Sequence, residues 1–266
     1  MHRQGKQRLM RSFRWMHNGR RGEVRVRIGM GQARWAGGDM AANDQQIGRY
    51  AREASAAGCD VLLLPELCDT GYVLAEMPVL ARQWAEGGLS DWQALARQHG
   101  IGLIAGVAER EGECLYNSSV MIDRMGVLCG LYRKTHLFCG PEGDEGAVFT
   151  AGNRLEVSHM AGACWGVSIC FDLRFPEVYR TLASAGAQIL VVVAAWPAVR
   201  IADWQRLCRA RAMENQVFLV GVNQTGISNG IPFGGGSCVV APDGSELAGR
   251  AGDGETLLIA DLVLDR

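Results

Sequence analysis

From Val24 onward the apolar residues follow two spacings in turn. "VRVRIGMGQ" (24–32) alternates apolar with basic or small residues, the period of a strand. "ANDQQIGRYAREASAAG" (42–58) places Ile47, Tyr50 and Ala54 at helical spacing and closes on a glycine. Next, "CDVLLLPEL" is a continuous apolar run of strand length that ends in Pro65-Glu66. The pattern predicts a helix over 78–99 and then strands in "IGLIAGVAER" (101–110), "LYNSSVMID" (115–123) and "GVLCGLYRK" (126–134). In the second half, strands are predicted at 165–169, 188–196, 217–223, 236–242 and 256–264, with helices over 176–185 and 201–215. Asp243-Gly244 marks a hairpin. Crossover helices mixed with hairpin-linked strands imply an α/β chain. So many strands suit two packed sheets with helices outside. No repeat period, low-complexity segment or internal linker divides residues 23–266, which are read as one domain.

Composition narrows the partners. With 48% hydrophobic residues the chain can bury one large core, and a net charge of −1 with pI near 6.5 gives no bulk attraction to nucleic acid or an anionic membrane. No run approaches the roughly 18 apolar residues of a spanning helix. The nine cysteines are odd in number, scattered and without a C-x-x-C pair. That spacing speaks against a disulfide framework and for a reducing cytoplasm. It also speaks against zinc, since His136 and Cys139 have no second pair to complete a tetrahedron. Residues 1–22 carry seven Lys or Arg and no acidic residue. They are read as a disordered extension, or as a start codon placed too early, rather than as a targeting peptide or nucleic-acid arm, because they lack an apolar stretch and a cleavage signal.

Three strand ends carry candidate chemistry. Cys170 stands where the apolar "WGVSI" stops and the chain turns before Pro176-Glu177, a helix start that would lower a thiol's pKa. An inert buried cysteine is the plain alternative. Glu66 follows "VLLLP", a desolvated strand end that suits a general base, although a capping carboxylate reads equally well. Lys134 ends "GVLCGLYRK", where an ammonium could hold a developing oxyanion or could simply be solvated. Each group falls at the C-terminal end of a strand, where open α/β sheets place their sites.

The segments "LLLPEL", "YRKTHLF" and "GVSICFDLRFPEVYR", in this order, resemble the three signature segments of the nitrilase superfamily of carbon–nitrogen hydrolases, and the similarity spans roughly residues 24–262. The resemblance implies an αββα four-layer sandwich of two mixed sheets with outer helices, a homodimer, no cofactor or metal, and a small amide or nitrile as substrate. It makes Glu66 the base, Lys134 the cation and Cys170 the nucleophile that forms a thioester. A second glutamate is either Glu142 or Glu145; Glu145 is preferred because its distance to Gly152-Asn153 resembles that in small bacterial amidases. The stretch from Ala194 to Gly226 is similar to amidases that act on ω-amides of 2-oxo dicarboxylic acids. Aliphatic amidases and carbamoylases share much of it. Tyr72, Phe171 and Trp196 lie beside the matched positions as pocket walls, with plain packing as the alternative. Asp172 and Arg174 would order the turn after Cys170, with Arg174 and Glu177 reaching a partner subunit. His136 is read as a structural hydrogen-bonder, and "FGGGS" (233–237) as a tight loop without the context of a phosphate site. Two other classes stay open, a non-catalytic binding protein and a redox-sensing thiol protein. The second needs a resolving thiol, and Cys164 lies along the same strand as Cys170, well over about 10 Å away in extended chain.

Overall fold

The strand that leads to Glu66 is apolar at every position because both of its faces are covered. In the computed structural model, which describes residues 23–83, 87–248 and 252–264, Val61 and Leu63 join one apolar cluster and Leu62 and Leu64 the other. A sheet buried on two sides reads as a continuous run rather than an alternation. The basic segment 1–22 lies outside the described residues.

The first half of the chain forms β1 (Val24–Gln32), α1 (Met40–Ala56), β2 (Val61–Leu63), α2 (Met77–Leu80), β3 (Arg82–Gln83), α3 (Ser90–His99), β4 (Gly102–Glu111), β5 (Cys114–Ile122), β6 (Leu128–Arg133), β7 (Cys139–Gly140) and β8 (Gly143–Asp144). The second half forms β9 (Val157–Met160), β10 (Ala163–Ile169), α4 (Pro176–Ser184), β11 (Ile189–Ala194), α5 (Ile201–Asn215), β12 (Phe218–Asn223), β13 (Thr225–Ser228), β14 (Ile231–Gly234), β15 (Cys238–Val240), β16 (Glu246–Ala248) and β17 (Thr256–Leu264). One mixed sheet runs β17-β1-β2-β4-β5-β6, with β3 against β4; the other runs β16-β15-β12-β11-β10-β9. The final strand returns to the first sheet and pairs antiparallel with β1 along its whole length, Val24 opposite Leu264 and Gln32 opposite Thr256.

Side chains from both sheets, among them Val26, Ile28, Met30 and Ile104 of the first and Val167, Ile169 and Val191 of the second, share one apolar cluster between the layers. Tyr179 and Leu182 of α4 and Trp204 and Cys208 of α5 extend it over the outer face of the second sheet. On the other side Ile47, Tyr50 and Ala54 of α1 and Trp92 and Ala96 of α3 cover Leu62 and Leu103. The result is the four-layer αββα sandwich. No helix among the described residues is long and apolar enough to cross a membrane.

The single helix predicted over 78–99 is two. Pro78 sits at the start of the one-turn α2, and Gly87 takes φ +80° ahead of α3. A Cβ on Gly88 would lie 2.9 Å from the Gln83 carbonyl oxygen, so the chain folds back too closely there for a continuous helix. The first helix starts at Met40, two residues earlier than its apolar spacing suggests, because the Asp39 side chain caps it by accepting from the Ala42 N–H at 3.0 Å.

Two packing details set the Glu66 turn. A Cβ on Gly106 would lie 2.6 Å from both the Leu67 nitrogen and the Pro65 carbonyl oxygen, so β4 admits the turn only because it carries glycine there. Beyond the turn, the buried Asp69 accepts from the Ala108 N–H at 3.2 Å and from Arg82 Nε at 3.2 Å. Arg82 in turn pairs with Asp44 at 2.8 Å, which ties the turn to α1. Burial raises the Asp69 carboxyl from 3.8 to about 6, with Arg82 opposing the shift.

Gly106→Ala should destabilise the fold by about 1–3 kcal/mol through overpacking and displace Glu66; urea unfolding and ammonia-release assays of the variant check this. Asp69 binds its proton more tightly folded than unfolded. Its contribution to stability therefore falls as pH rises from about 4 to about 6 and is flat above. Asp69→Asn should flatten that part of the profile, read from urea midpoints across the same pH range.

Candidate active site

Glu66 lies just past β2 and is fully buried. Each of its carboxylate oxygens is held. Oε1 accepts from Lys134 Nζ at 2.8 Å and Asn117 Nδ2 at 2.7 Å, and Oε2 accepts from the Ala195 N–H at 2.7 Å. Its backbone oxygen accepts from Gln224 Nε2 at 2.8 Å. A carboxylate held by three donors has one orientation available. Leu67, the next residue, takes φ +47°, so the chain turns sharply away.

Lys134 follows β6, and its Nζ donates to Glu66 Oε1 and to Glu145 Oε1, both at 2.8 Å. Burial works against the ammonium, but the Glu145 and Glu66 carboxylates outweigh it and hold the lysine above its ordinary range. Its backbone is fixed by Asn117 on β5, whose oxygen accepts the Lys134 N–H, and by the Gly152 N–H that bonds the Lys134 oxygen, both at 2.8 Å. Glu145 accepts further bonds from Tyr72 OH at 3.0 Å and from the Phe138 N–H at 2.9 Å. Burial and the Glu66 charge push its carboxyl up against the pull of Lys134.

Cys170 opens the short 3-10 turn Cys170–Arg174 directly after β10 and takes φ +45°, a strained value for a residue with a side chain. Asp172 holds that turn. Its Oδ2 accepts from the Ile169 N–H at 2.9 Å and Tyr132 OH at 2.8 Å, and its Oδ1 accepts from the His136 N–H at 3.0 Å. His136 Nδ1 also lies 2.8 Å from Asp172 Oδ1, and the ring stacks on Phe175 with centroids 3.7 Å apart. One buried carboxylate thus fastens the Cys170 turn to the segment just after Lys134.

The thiol differs from expectation. Helix α4 begins at Pro176, a full 3-10 turn beyond Cys170, so its N-terminus is not what surrounds the sulfur. Burial comes first, the Glu66 charge second, and together they raise the Cys170 pKa well above the thiol range despite Lys134. Cys170 therefore rests as a protonated thiol, near enough to Glu66 to feel its charge.

Glu66, Lys134, Cys170 and Glu145 come together. Cys170 and Glu145 line a pocket of about 400 Å³, open mouth included, together with Tyr72, Phe171 and Trp196. Of the two candidate second glutamates, Glu145 is at Lys134, whereas Glu142 stands at the rim and pairs with Arg200 at 2.6 Å. Arg174 pairs with Asp203 at 3.1 Å. None of the nine cysteines forms a disulfide, and among the described residues no group of His, Cys, Asp and Glu is arranged to hold a metal.

Sequence reasoning missed Asn117, the Ala195 N–H, Phe138, Phe233 and Arg200. Asn117 had a signal, a fully buried amide inside the strand "LYNSSVMI" that must find partners. The Ala195 donor had none, since it comes from 129 residues away on the other sheet.

The carbon–nitrogen hydrolase family model matches residues 27–266. The chain is 36% identical over 213 residues to a 2-oxoglutaramate amidase of Bacillus subtilis, covering 80% of this chain and 81% of that protein. It is 34% identical over 228 residues to a nitrilase of Pyrococcus abyssi, 84% of each chain. A solved variant of the amidase from Nesterenkonia sp. AN1, which shows the acetamide moiety of fluoroacetamide added covalently at its active-site cysteine, superposes with a TM-score of 0.83 at 32% identity and 93% coverage of both chains. With its four-layer fold and a family match over nearly its whole length, the chain belongs to the carbon–nitrogen hydrolase family of the nitrilase superfamily.

Proposed function

We propose that this protein is an amidase that hydrolyses small aliphatic amides, including ω-amides of 2-oxo dicarboxylic acids, through a thioester on Cys170. One arrangement carries the reading: a thiol that keeps its proton and lines a pocket, near the fixed Glu66 carboxylate and the buried Lys134 ammonium that donates to it. The name of the Bacillus subtilis relative supports the ω-amide branch.

In this mechanism Glu66 takes the thiol proton as Sγ attacks the amide carbon. The sulfur becomes nucleophilic only as the proton leaves. An ammonium has three donors, and two of those on Lys134 are committed to carboxylates. The third, with the Phe171 N–H, receives the oxyanion of the tetrahedral intermediate. Ammonia departs with the proton from Glu66, leaving the thioester. Water then gives a proton to Glu66 and attacks the acyl carbon, and the proton returns to sulfur as the carboxylic acid is released. Glu145 holds Lys134 and Tyr72 in place throughout. A nitrile would pass through a thioimidate that needs additional proton donors, and the carboxylates near Cys170 are few. Residues 23–266 act as one domain in this reading. A homodimer in the cytoplasm is the reading that the family resemblance and the absence of disulfides support, and sedimentation measures the assembly.

Cys170→Ala should abolish ammonia release with the fold intact, and Cys170→Ser should leave little, because an alkoxide is far harder to form. A folded Cys170→Ala protein with parental activity overturns the mechanism, and failure of an electrophilic amide to label the parental thiol points to a non-catalytic protein.

Glu66→Gln keeps the shape and removes the base, so single-turnover acylation should slow by about 10² to 10⁴. An unchanged rate would move the base to another group.

Amides should have higher kcat/KM than nitriles of the same carbon skeleton in ammonia-release assays. A consistent preference for the nitrile, or for N-carbamoyl compounds, assigns the protein to that branch instead.

A further inference from the structure

The pocket mouth carries two guanidinium groups, and they are held differently. Arg174 is anchored by a hydrogen bond to Asp203 at 3.1 Å, a carboxylate that does not line the pocket, and its guanidinium lies over the Trp196 ring. Arg200 is held by Glu142, which lines the pocket with it. Arg200 Nη2 and Glu142 Oε2 are 2.6 Å apart, yet both are buried atoms that complete no hydrogen bond. The pair is close and misaligned. Two opposite charges in that arrangement gain attraction but lose the directional bonds that make an Arg–carboxylate fork strong.

The backbone beneath Arg200 is firm. Its carbonyl accepts from Trp196 Nε1 at 2.8 Å, and its N–H donates to the Pro197 carbonyl at 3.0 Å, so the wall of the pocket fixes where the guanidinium starts. Glu142 sits in the turn between β7 and β8, outside both strands. A carboxylate on an incoming molecule could present two oxygens to the Arg200 fork where Glu142 presents one poorly aimed atom. Glu142 would then give up the pair and turn its side chain, now 15% exposed, toward solvent.

We propose that Arg200 is the specificity-determining residue of the pocket. It binds the free carboxylate of a half-amide of a dicarboxylic acid, and Glu142 is the counter-ion that this carboxylate displaces. The inference rests on the amidase reading and adds to it the end of the substrate that does not react. A neutral amide has nothing to exchange with Glu142 and leaves the ion pair closed across the mouth. The substrate carboxylate is thereby selected at the rim while the amide reaches Cys170.

The test compares glutaramate with pentanamide, two amides of equal chain length that differ in the terminal carboxylate. The parental enzyme should favour glutaramate in kcat/KM by about 30-fold or more, the scale of one desolvated charge-pair contact. Arg200→Gln should collapse that ratio toward unity mainly through KM, and Arg200→Lys should restore part of it. Glu142→Gln frees the guanidinium and should lower KM for glutaramate several-fold. Thermal unfolding confirms that each variant is folded. A parental ratio near unity, or an Arg200→Gln ratio equal to the parental one, overturns the assignment of Arg200. A Glu142→Gln enzyme with raised KM for glutaramate overturns the displacement. If neither amide releases ammonia, the amidase reading fails by itself, and calorimetry of glutaramate with Cys170→Ala and with Cys170→Ala/Arg200→Gln still decides the inference. Binding that weakens about tenfold or more supports it, and equal or absent binding in both overturns it.

Discussion

A buried lysine shared by two buried carboxylates is the constraint around which this molecule is arranged. Lys134, Glu66 and Glu145 are all withdrawn from water, and none could be charged there alone without a cost of several kcal/mol. Each therefore depends on the others and on a ring of neutral donors, namely Asn117, Tyr72 and the N–H groups of Ala195 and Phe138. That ring explains choices in the scaffold which have no other use. An amide is tolerated in the middle of β5 because two carboxylates need it. Burial first, and the negative charge of Glu66 second, keep the proton on the neighbouring sulfur at rest.

Much of the candidate site was legible in the sequence because each candidate group is punctuated in the same way. An apolar run stops, a proline or polar turn follows, and the side chain at the boundary has nowhere to go but the sheet's end. Glu66, Lys134 and Cys170 all carry that mark. The strand leading to Glu66 was similarly readable from the run Val61–Leu64, which is unbroken because both faces are covered. What stayed hidden depends on contacts across the sheets. The Ala195 N–H is a backbone atom and leaves no trace in residue type. Arg200 looks like any helix-entry arginine until Glu142 is found beside it. The direction of the Cys170 shift could not be read either, because a helix start is visible in sequence whereas the depth of burial and the nearness of Glu66 are not. The helix expected over 78–99 failed at Gly87-Gly88, where close backbone approach overrode good helical spacing.

Asp172 shows how few side chains join the two halves of the site. It reaches Ile169 on one side and Tyr132, Thr135 and His136 on the other, so the strained Cys170 backbone and the Lys134 segment share one support. His136 contributes through its ring packing and its bond to Asp172, which places it beneath the turn as a brace. The 45° φ of Cys170 persists because this network over-determines it.

The pairing of β17 with β1 has a consequence for how the molecule comes into being. Strand β1 is made first and its partner last, with Val24 waiting for Leu264. On a ribosome, β2, β4 and the strand that leads to Lys134 emerge long before the sheet they belong to can be closed. Cys170, Glu66 and Lys134 are then all present in a chain whose β1 still lacks its antiparallel partner. Synthesis of the last nine-residue strand supplies it. The first sheet is thus completed only when β17 follows, well after Cys170 has been made.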